Sequence, residues 1–380
     1  MEQMNISGFW KISVITIGLS TGFMVFLSKY KLYLSLPPEK DKDEDSNLKL
    51  ELDRNQKHVS NAEDNDIIPE LPQPRWTKVG KVAKLFFYPL KSGSGIEISN
   101  CNFTEFGISV EEEAFILQDR MFIIYDEIKG RFVTARQHPT LILVKLLIVN
   151  STQVKLKAPG MPDVIFEIPK LKKFERLVKC YMWWDEPLKC IDCGPEAAKW
   201  ISRYVLGENT GYRLGYSHDR NRHILKGPWK RFTKVYKTLR NQDTGIFSDL
   251  ASYMLITESS MDQLNQRLEK SIPALQLRPN LLVSGSQPFA EDNWEWIKIG
   301  KHVILRNIKP CPRCSMVRVD PYTGIQDAEE PLKTLKTFRQ QTDSEKVAVD
   351  GTAPIFGVYC GLYHGGKVAI NDEIFVHVPS

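Results

Sequence analysis

The stretch Asn307 to Gly324, N-I-K-P-C-P-R-C-S-M-V-R-V-D-P-Y-T-G, constrains this chain more than any other. The branched run His302 to Ile308 predicts a strand, the alternating Ser315 to Asp320 predicts a second, and D-P-Y-T-G supplies turn residues. Cys311 and Cys314 are therefore expected on a short connection between two strands. Pro310 and Pro312 stiffen it and remove two backbone donors, and Arg313 places a permanent cation beside Cys314 that favours its thiolate. The spacing leaves three readings open. The cysteines pack as small hydrophobes, or they form half of a zinc site completed by Cys190-x-x-Cys193, or one of them ligates a metal or cofactor. More than a hundred residues separate the two pairs, against roughly 15–20 in compact zinc ribbons, which disfavours the second.

A length of 380 residues is too great for one small core and predicts two domains with appendages. Seven cysteines, an odd number scattered along the chain, do not resemble a secreted disulfide framework and imply a reducing compartment. The net charge is +5, but residues 39–66 hold ten acidic and five basic side chains, so the remainder stands at +10. Such a surplus suits an acidic partner, a membrane surface or an anionic cofactor.

Ile12 to Leu27 is uncharged and apolar, flanked by Lys11, Lys29 and Lys31, with no small-residue cleavage site. At about 1.5 Å per residue it is marginal for a ~30 Å hydrocarbon core. A cleaved secretory signal is the rival reading. The cysteines argue against secretion, so residues 1–36 read as a retained signal anchor and transmembrane segment. Residues 37–74 are polar, highly charged and nearly free of aromatics, the composition of a disordered acidic tether.

From Trp76 onward short strands dominate: Lys81 to Pro89, Ala114 to Leu117, Met121 to Asp126, Leu141 to Val149, Gln153 to Lys157 and Val164 to Ile168. A barrel or half-barrel over residues 75–206 follows, closed by a helix from Pro195 to its stop at Gly207. His218 to Arg240 is strongly basic with interleaved aromatics. No recognisable nucleic-acid fold accompanies it, so residues 207–240 read as an inter-domain segment and a docking patch. In residues 241–380 strands are expected at Leu255–Thr257, Leu281–Val283, Trp296–Ile299, Phe356–Tyr359 and Ile374–Val378. Ser260 with Gln263 reads as a capping box opening one helix, and Pro331 to Gln340 as a second helix. The fold class is thus mostly β with a few helices. No GxGxxG or Walker sequence occurs.

Taken together, Y-P-L-K-S (Tyr88 to Ser92), Q-D-R (Gln118 to Arg120), T-A-R-Q (Thr134 to Gln137), L-R-P-N (Leu277 to Asn280), C-P-R-C and P-I-F-G-V-Y (Pro354 to Tyr359) resemble the MOSC family of molybdenum cofactor proteins. The likeness runs from about Lys78 to the C-terminus and is nearest to the family's mitochondrial amidoxime-reducing members. It implies an N-terminal MOSC-type β-barrel domain and a MOSC β-barrel domain with molybdopterin between them. By position in the motif, Cys314 is the molybdenum ligand and Cys311 packs beside it. Lys91, Ser92, Arg120, Arg278, Pro312, Arg313 and Tyr359 correspond to cofactor contacts, and lysine and arginine suit a phosphate and polar ring edges. Where the family commonly has small hydroxyl residues after S-D, this chain has Leu250 and Ala251, so contact there must come from the backbone.

The resemblance further implies a reductase of N-hydroxylated compounds, with Asp249 relaying protons. Molybdenum cofactor sulfurases carry a pyridoxal-phosphate domain before a similar module, and some bacterial relatives carry a ferredoxin domain after it. This chain has room for neither, so electrons are expected from NADH through cytochrome b5 reductase and cytochrome b5. The alternative from another class is a non-catalytic molybdenum cofactor carrier. The anchor, the tether and the resemblance agree on the mitochondrial outer membrane, with the catalytic domains in the cytosol.

Overall fold

In a computed structural model of the chain, described residues are 71, 75–112, 115–169, 177–217, 222 and 229–378. The expected anchor, all of the tether except Leu71, and most of residues 218–228 lie outside them. Among the described residues no helix is long and apolar enough to cross a membrane.

The centre of the fold is a closed barrel of seven strands. Starting from Thr77–Phe87 and going round, the order is Leu281–Ser284, Tyr253–Thr257, Ile355–His364, Val303–Pro312, Trp296–Ile299 and Glu373–His377, which pairs again with Thr77–Phe87. Closure therefore depends on a strand from the start of the globular region. Its first half, Thr77 to Lys81, pairs with Glu373–His377, and Lys81 to Leu85 pairs with Leu281–Ser284. Register shifts at Lys78/Gly80 and Val82/Lys84 bend it from one neighbour to the other. A Cβ at Gly80 would stand 1.7 Å from the Ser284 carbonyl oxygen, so the crossing needs glycine.

The strand sequences show why both faces of this sheet are covered. Leu255, Leu281 and Val283 enter one buried cluster, while the alternate residues Met254, Ile256 and Leu282 enter another with Met261 and Leu264 of the helix Glu258–Asn265. That helix is the crossover between the barrel's parallel pair, Tyr253–Thr257 and Leu281–Ser284. Ile96–Ile98 pairs with the end of Thr77–Phe87 as an eighth strand of this sheet, and the remaining strands form three smaller sheets: one from Val178–Tyr181, Pro187–Asp192, Tyr212–Tyr216 and Phe122–Asp126, one from Gly366–Ala369, Asn100–Thr104, Gly107–Glu112 and Phe115–Gln118, and one from Lys145–Ile148, Gln153–Lys157 and Val164–Glu167. Gly366–Ala369 pairs with Asn100–Thr104, so the C-terminal part lends a strand to the N-terminal sheets in return. One buried cluster runs through both, from Val82 and Ile123 to Trp200, Leu305 and Val376.

Several expectations need correction. Cys311 is not on a loop: the strand Val303–Pro312 runs through it, and Ser315–Arg318 is a 3-10 turn rather than a second strand. Beyond Arg306 this strand has no ladder to Trp296–Ile299, and its ladder to Ile355–His364 is interrupted at Asn307/Lys309 and Pro310/Pro312, so two missing proline donors are tolerated. The helix cap is Thr257, whose hydroxyl accepts from the Ser260 N–H, one turn before the expected Ser260. Leu141 to Val149 begins as a 3-10 turn, Pro139–Leu143, where proline pre-sets φ, before the strand Lys145–Ile148. The helices Pro195–Leu206 and Leu332–Arg339 stand where expected, the first stopped by Gly207 at φ 75°.

Candidate active-site cleft

Each quoted motif ends at one cleft. It forms where the exits of Thr77–Phe87 and Val303–Pro312 meet the segments around Ser248 and Arg278. Its empty space, open to solvent at the mouth, is about 810 Å3. Three lining residues hold left-handed backbone without being glycine: Ser92 (φ 64°), Arg120 (φ 50°) and Arg278 (φ 56°). Such conformations are costly and persist where surrounding structure enforces them, which is typical of sites.

The enforcing contacts come from the same motifs. The Tyr88 hydroxyl donates to the Pro279 carbonyl (3.0 Å), and the Arg120 N–H donates to the Tyr88 carbonyl (2.6 Å). The guanidinium carbons of Arg120 and Arg278 each lie 4.3 Å from the centre of the Tyr88 ring. Arg120 is paired with Asp119 and donates to Asn280 Oδ1 (3.2 Å). Arg278 donates to the Gly93 carbonyl (2.8 Å). Burial pushes the Arg278 guanidinium down to about 10, opposed by Tyr88 and assisted by Arg120.

Deeper in the wall, Lys91 Nζ donates to Asp249 Oδ1 (2.6 Å) and to the Phe247 carbonyl (2.8 Å). Burial lowers its pKa to about 8, although Asp249 pulls the other way. Asp249 is 47% exposed because its carboxyl opens onto the cleft. Enclosure by protein raises its pKa, but Lys91, Arg136 and the Trp183 indole N–H (2.9 Å) outweigh that and hold it well below the usual carboxylate range. The segment itself is pinned from behind by Arg222, which donates to the Ser248 carbonyl (2.6 Å) and the Asp249 carbonyl (3.2 Å). Glu186 binds the same guanidinium at 2.9 and 3.0 Å.

Cys311 and Cys314 occupy different environments. Both line the cleft, but Cys314 is only partly buried, whereas Cys311, like Cys101, Cys180, Cys190, Cys193 and Cys360, is buried. Arg313 Nη1 donates to Cys311 Sγ (2.9 Å) and Nη2 to the Leu277 carbonyl, so the guanidinium bonds the first cysteine, while its charge is also felt by Cys314 as the sequence suggests. In extended chain residues two apart share a side, which explains why the hydrogen bond falls on Cys311. The Tyr359 hydroxyl meets the same sulfur, and burial followed by Cys311 pushes that phenol well above its ordinary value. Arg313 Nε is buried with no hydrogen-bond partner among the described residues. Cys190 and Cys193 lie in the core near the strand Pro187–Asp192, and among the described residues no group of three or more His, Cys, Asp or Glu is placed to hold a metal.

The expected site residues Lys91, Ser92, Arg120, Asp249, Ala251, Arg278, Pro312, Arg313, Cys314 and Tyr359 all line the cleft. Leu250 does not: its side chain packs with Trp229, Phe232, Tyr236 and Ile308. Sequence reasoning missed Thr134, Arg136, Gln276 and Asn280 as wall residues. T-A-R-Q, which holds Thr134 and Arg136, and L-R-P-N, which holds Asn280, were the available signals, while Gln276 lies outside every quoted motif. Arg136 stacks on Trp183 at 3.8 Å and adds another cation.

The cleft thus gathers Lys91, Arg120, Arg136, Arg278 and Arg313 against the carboxylates of Asp119 and Asp249. Unbalanced charge at low exposure is expensive unless a ligand completes it. An anion with several acceptor atoms fits, and Arg313 Nε offers a donor for it. Cys314 adds a thiol suited to a soft metal. The residues present therefore fit molybdopterin and its metal.

Comparison with known proteins agrees with the motifs. The MOSC N-terminal beta barrel domain matches residues 79–208, and the MOSC domain matches residues 242–375. Mitochondrial amidoxime-reducing component 1 of Mus musculus is 33% identical over 80% of this chain and 84% of its own length. Mitochondrial amidoxime-reducing component 1 of Homo sapiens is 33% identical over 79% and 83%, and component 2 of Homo sapiens 33% over 79% and 84%. This chain belongs to the family of MOSC-domain proteins that includes the mitochondrial amidoxime-reducing components.

Proposed function

We propose that the chain is a molybdenum cofactor-dependent reductase of N-hydroxylated compounds: amidoximes, hydroxamic acids and N-hydroxylated bases. The observation behind this reading is the surplus of positive charge around a cleft that also presents Cys314. Arg278, Arg313, Arg120 and Lys91 would hold the anionic and polar edges of molybdopterin, the backbone near Ala251 would contribute donors, and the Cys314 thiolate would bind the metal. Bound there, the cofactor supplies two-electron reduction. Breaking an N–O bond with two electrons and two protons releases water, so the protein must also deliver protons. Within the Lys91–Asp249 pair the lysine is the better donor near neutrality, because the carboxylate is held ionised. Asp249 then serves as the hydrogen-bond acceptor that holds Lys91 in place and favours its protonated form.

The proposed electron supply is NADH through cytochrome b5 reductase and cytochrome b5, at the cytosolic face of the mitochondrial outer membrane. Reduction of benzamidoxime by the purified protein with these components is the direct test. Turnover with stoichiometric molybdenum, declining as pH rises, is expected. Stoichiometric molybdenum without reduction would identify a cofactor carrier instead. Unaltered turnover and pH profile in Asp249→Asn would remove that residue from the proton path.

A further inference from the structure

The turn Trp183–Asp185 combines two features that the cleft does not explain. Trp184 (φ 53°) and Asp185 (φ 60°) both adopt left-handed backbone, and the Trp184 side chain is left 45% exposed. A bulky residue in that conformation is a genuine outlier, and a single exposed aromatic residue by itself would need no explanation. The strain has a visible result. Trp183 turns inward, giving its indole N–H to Asp249 (2.9 Å) beneath Arg136, while its neighbour Trp184 turns outward.

The outward ring is framed by the helix Lys230–Val235. The Arg231 guanidinium lies 4.7 Å from its centre, and Trp229 meets it edge-on at 4.6 Å and 88°. Trp229 in turn is fixed by Glu186, to which its indole donates (3.1 Å). Arg231 and its sequence neighbours Lys230, Lys234 and Lys237 are exposed, and no acidic residue interrupts the sequence from Trp229 to Arg240. Asp185, beside the ring, is occupied by Arg131. An exposed aromatic anchor stacked with Arg231 and followed by a run of exposed cations matches the composition of protein-binding hot spots, and its charge selects an acidic partner.

We propose that Trp184 and the helix Lys230–Val235 form the docking surface for an acidic electron-donor protein, and that the Trp183–Trp184 turn joins this surface to the cleft. The proposal rests on the reductase reading above and deepens it. Two one-electron deliveries at this surface, with two protons, account for the cleavage of one N–O bond and the release of one water. Within the turn a single peptide bond separates the residue that would touch the donor from the one that touches Asp249.

The test uses the full, cofactor-loaded chain with benzamidoxime and two electron sources, reduced cytochrome b5 and dithionite-reduced methyl viologen. For Trp184→Leu the KM for cytochrome b5 should rise at least about fivefold, the effect of losing one hot-spot side chain. For the double variant Arg231→Glu, Lys234→Glu the cytochrome-dependent rate should fall and its dependence on salt should flatten. Both variants should keep their viologen-dependent turnover. An unchanged cytochrome KM and salt dependence in both would overturn the docking surface, and so would equal losses with the two donors, which would make the region structural. If the unaltered protein reduces benzamidoxime with neither donor, the reductase reading fails instead.

Discussion

Two regions of this molecule bury charge in opposite ways. In the barrel wall, Arg306 Nη2 donates to both carboxylate oxygens of Asp243 at 2.9 and 3.2 Å, and Lys309 meets Asp350 at 2.6 Å, with both partners of each pair almost fully buried. Each cation there has its own carboxylate. In the cleft, Lys91, Arg120, Arg136, Arg278 and Arg313 share Asp119 and Asp249. Strain follows the same division, since Ser92, Arg120 and Arg278 have left-handed backbone and Asp243 and Arg306 do not. Charge that serves the fold is balanced within the chain, whereas charge that serves a ligand waits for the ligand to balance it.

Breaking the comparison at its functional end should give the largest effect. Cys314→Ser is expected to lower reductase activity by more than about 100-fold, because weakening groups that merely support a metal ligand already costs roughly 10–100-fold. Cys311→Ser should be milder, since its buried sulfur is already engaged by Arg313 and Tyr359. Molybdenum content measured beside activity separates lost binding from lost chemistry. Equal inactivity of the two variants, with zinc bound in place of molybdenum, would restore the zinc reading of C-P-R-C.

The next effect is on stability, with opposite expectations for the two regions. Asp243→Ala strands Arg306 in the barrel wall and should cost about 3–5 kcal/mol in urea unfolding. It also empties the space against Gly361, where even a Cβ would stand 1.9 Å from Asp243 Oδ1. Arg278→Gln in cofactor-free protein should cost no more than about 1 kcal/mol, since relief from Arg120 offsets a lost hydrogen bond. Cofactor retention should nevertheless fall in Arg278→Gln. If Arg278→Gln destabilised the empty protein as much as Asp243→Ala, the cleft's charge would be structural and the comparison would collapse.

Much of this was legible before any coordinates, and the exceptions have physical causes. Period-two alternation located most strands, and ordered motifs located most of the cleft, because Y-P-L-K-S and L-R-P-N hold functional side chains and their backbone supports in one stretch. Barrel closure by Thr77–Phe87 was not legible, since pairing over two hundred residues leaves no local signal. Nor was the hydrogen-bond partner of Arg313: sequence adjacency suggested Cys314, while extended geometry selects Cys311. The helix Ser344–Asp350, capped by Asp343, was missed because its apolar face is too short to show periodicity. Trp183 was missed because aromatics in a strand-rich region read as core, and only coordinates reveal its bond to Asp249.

A third kind of buried charge sharpens the comparison with the smallest expected effect. Glu291 is fully buried and is met by two hydroxyls, Ser260 Oγ at 2.8 Å and Thr257 Oγ1 at 3.1 Å, and among the described residues no cation is bonded to it. Burial is the main reason its pKa is raised above the ordinary value of 4.5. A carboxyl whose pKa is higher folded than unfolded binds its proton more tightly when folded. Its contribution is therefore complete below about pH 4.5 and is lost as pH rises towards the folded value. In Glu291→Gln the amide keeps contact with the cap hydroxyls without titrating. The Tm difference between this variant and the unaltered protein should accordingly be small in acid and shift in the variant's favour as pH rises from about 4.5 to 7. Parallel Tm curves across that range would mean that the hydroxyls already compensate the ionised carboxylate, and that a buried charge in this fold can be satisfied without a counter-ion.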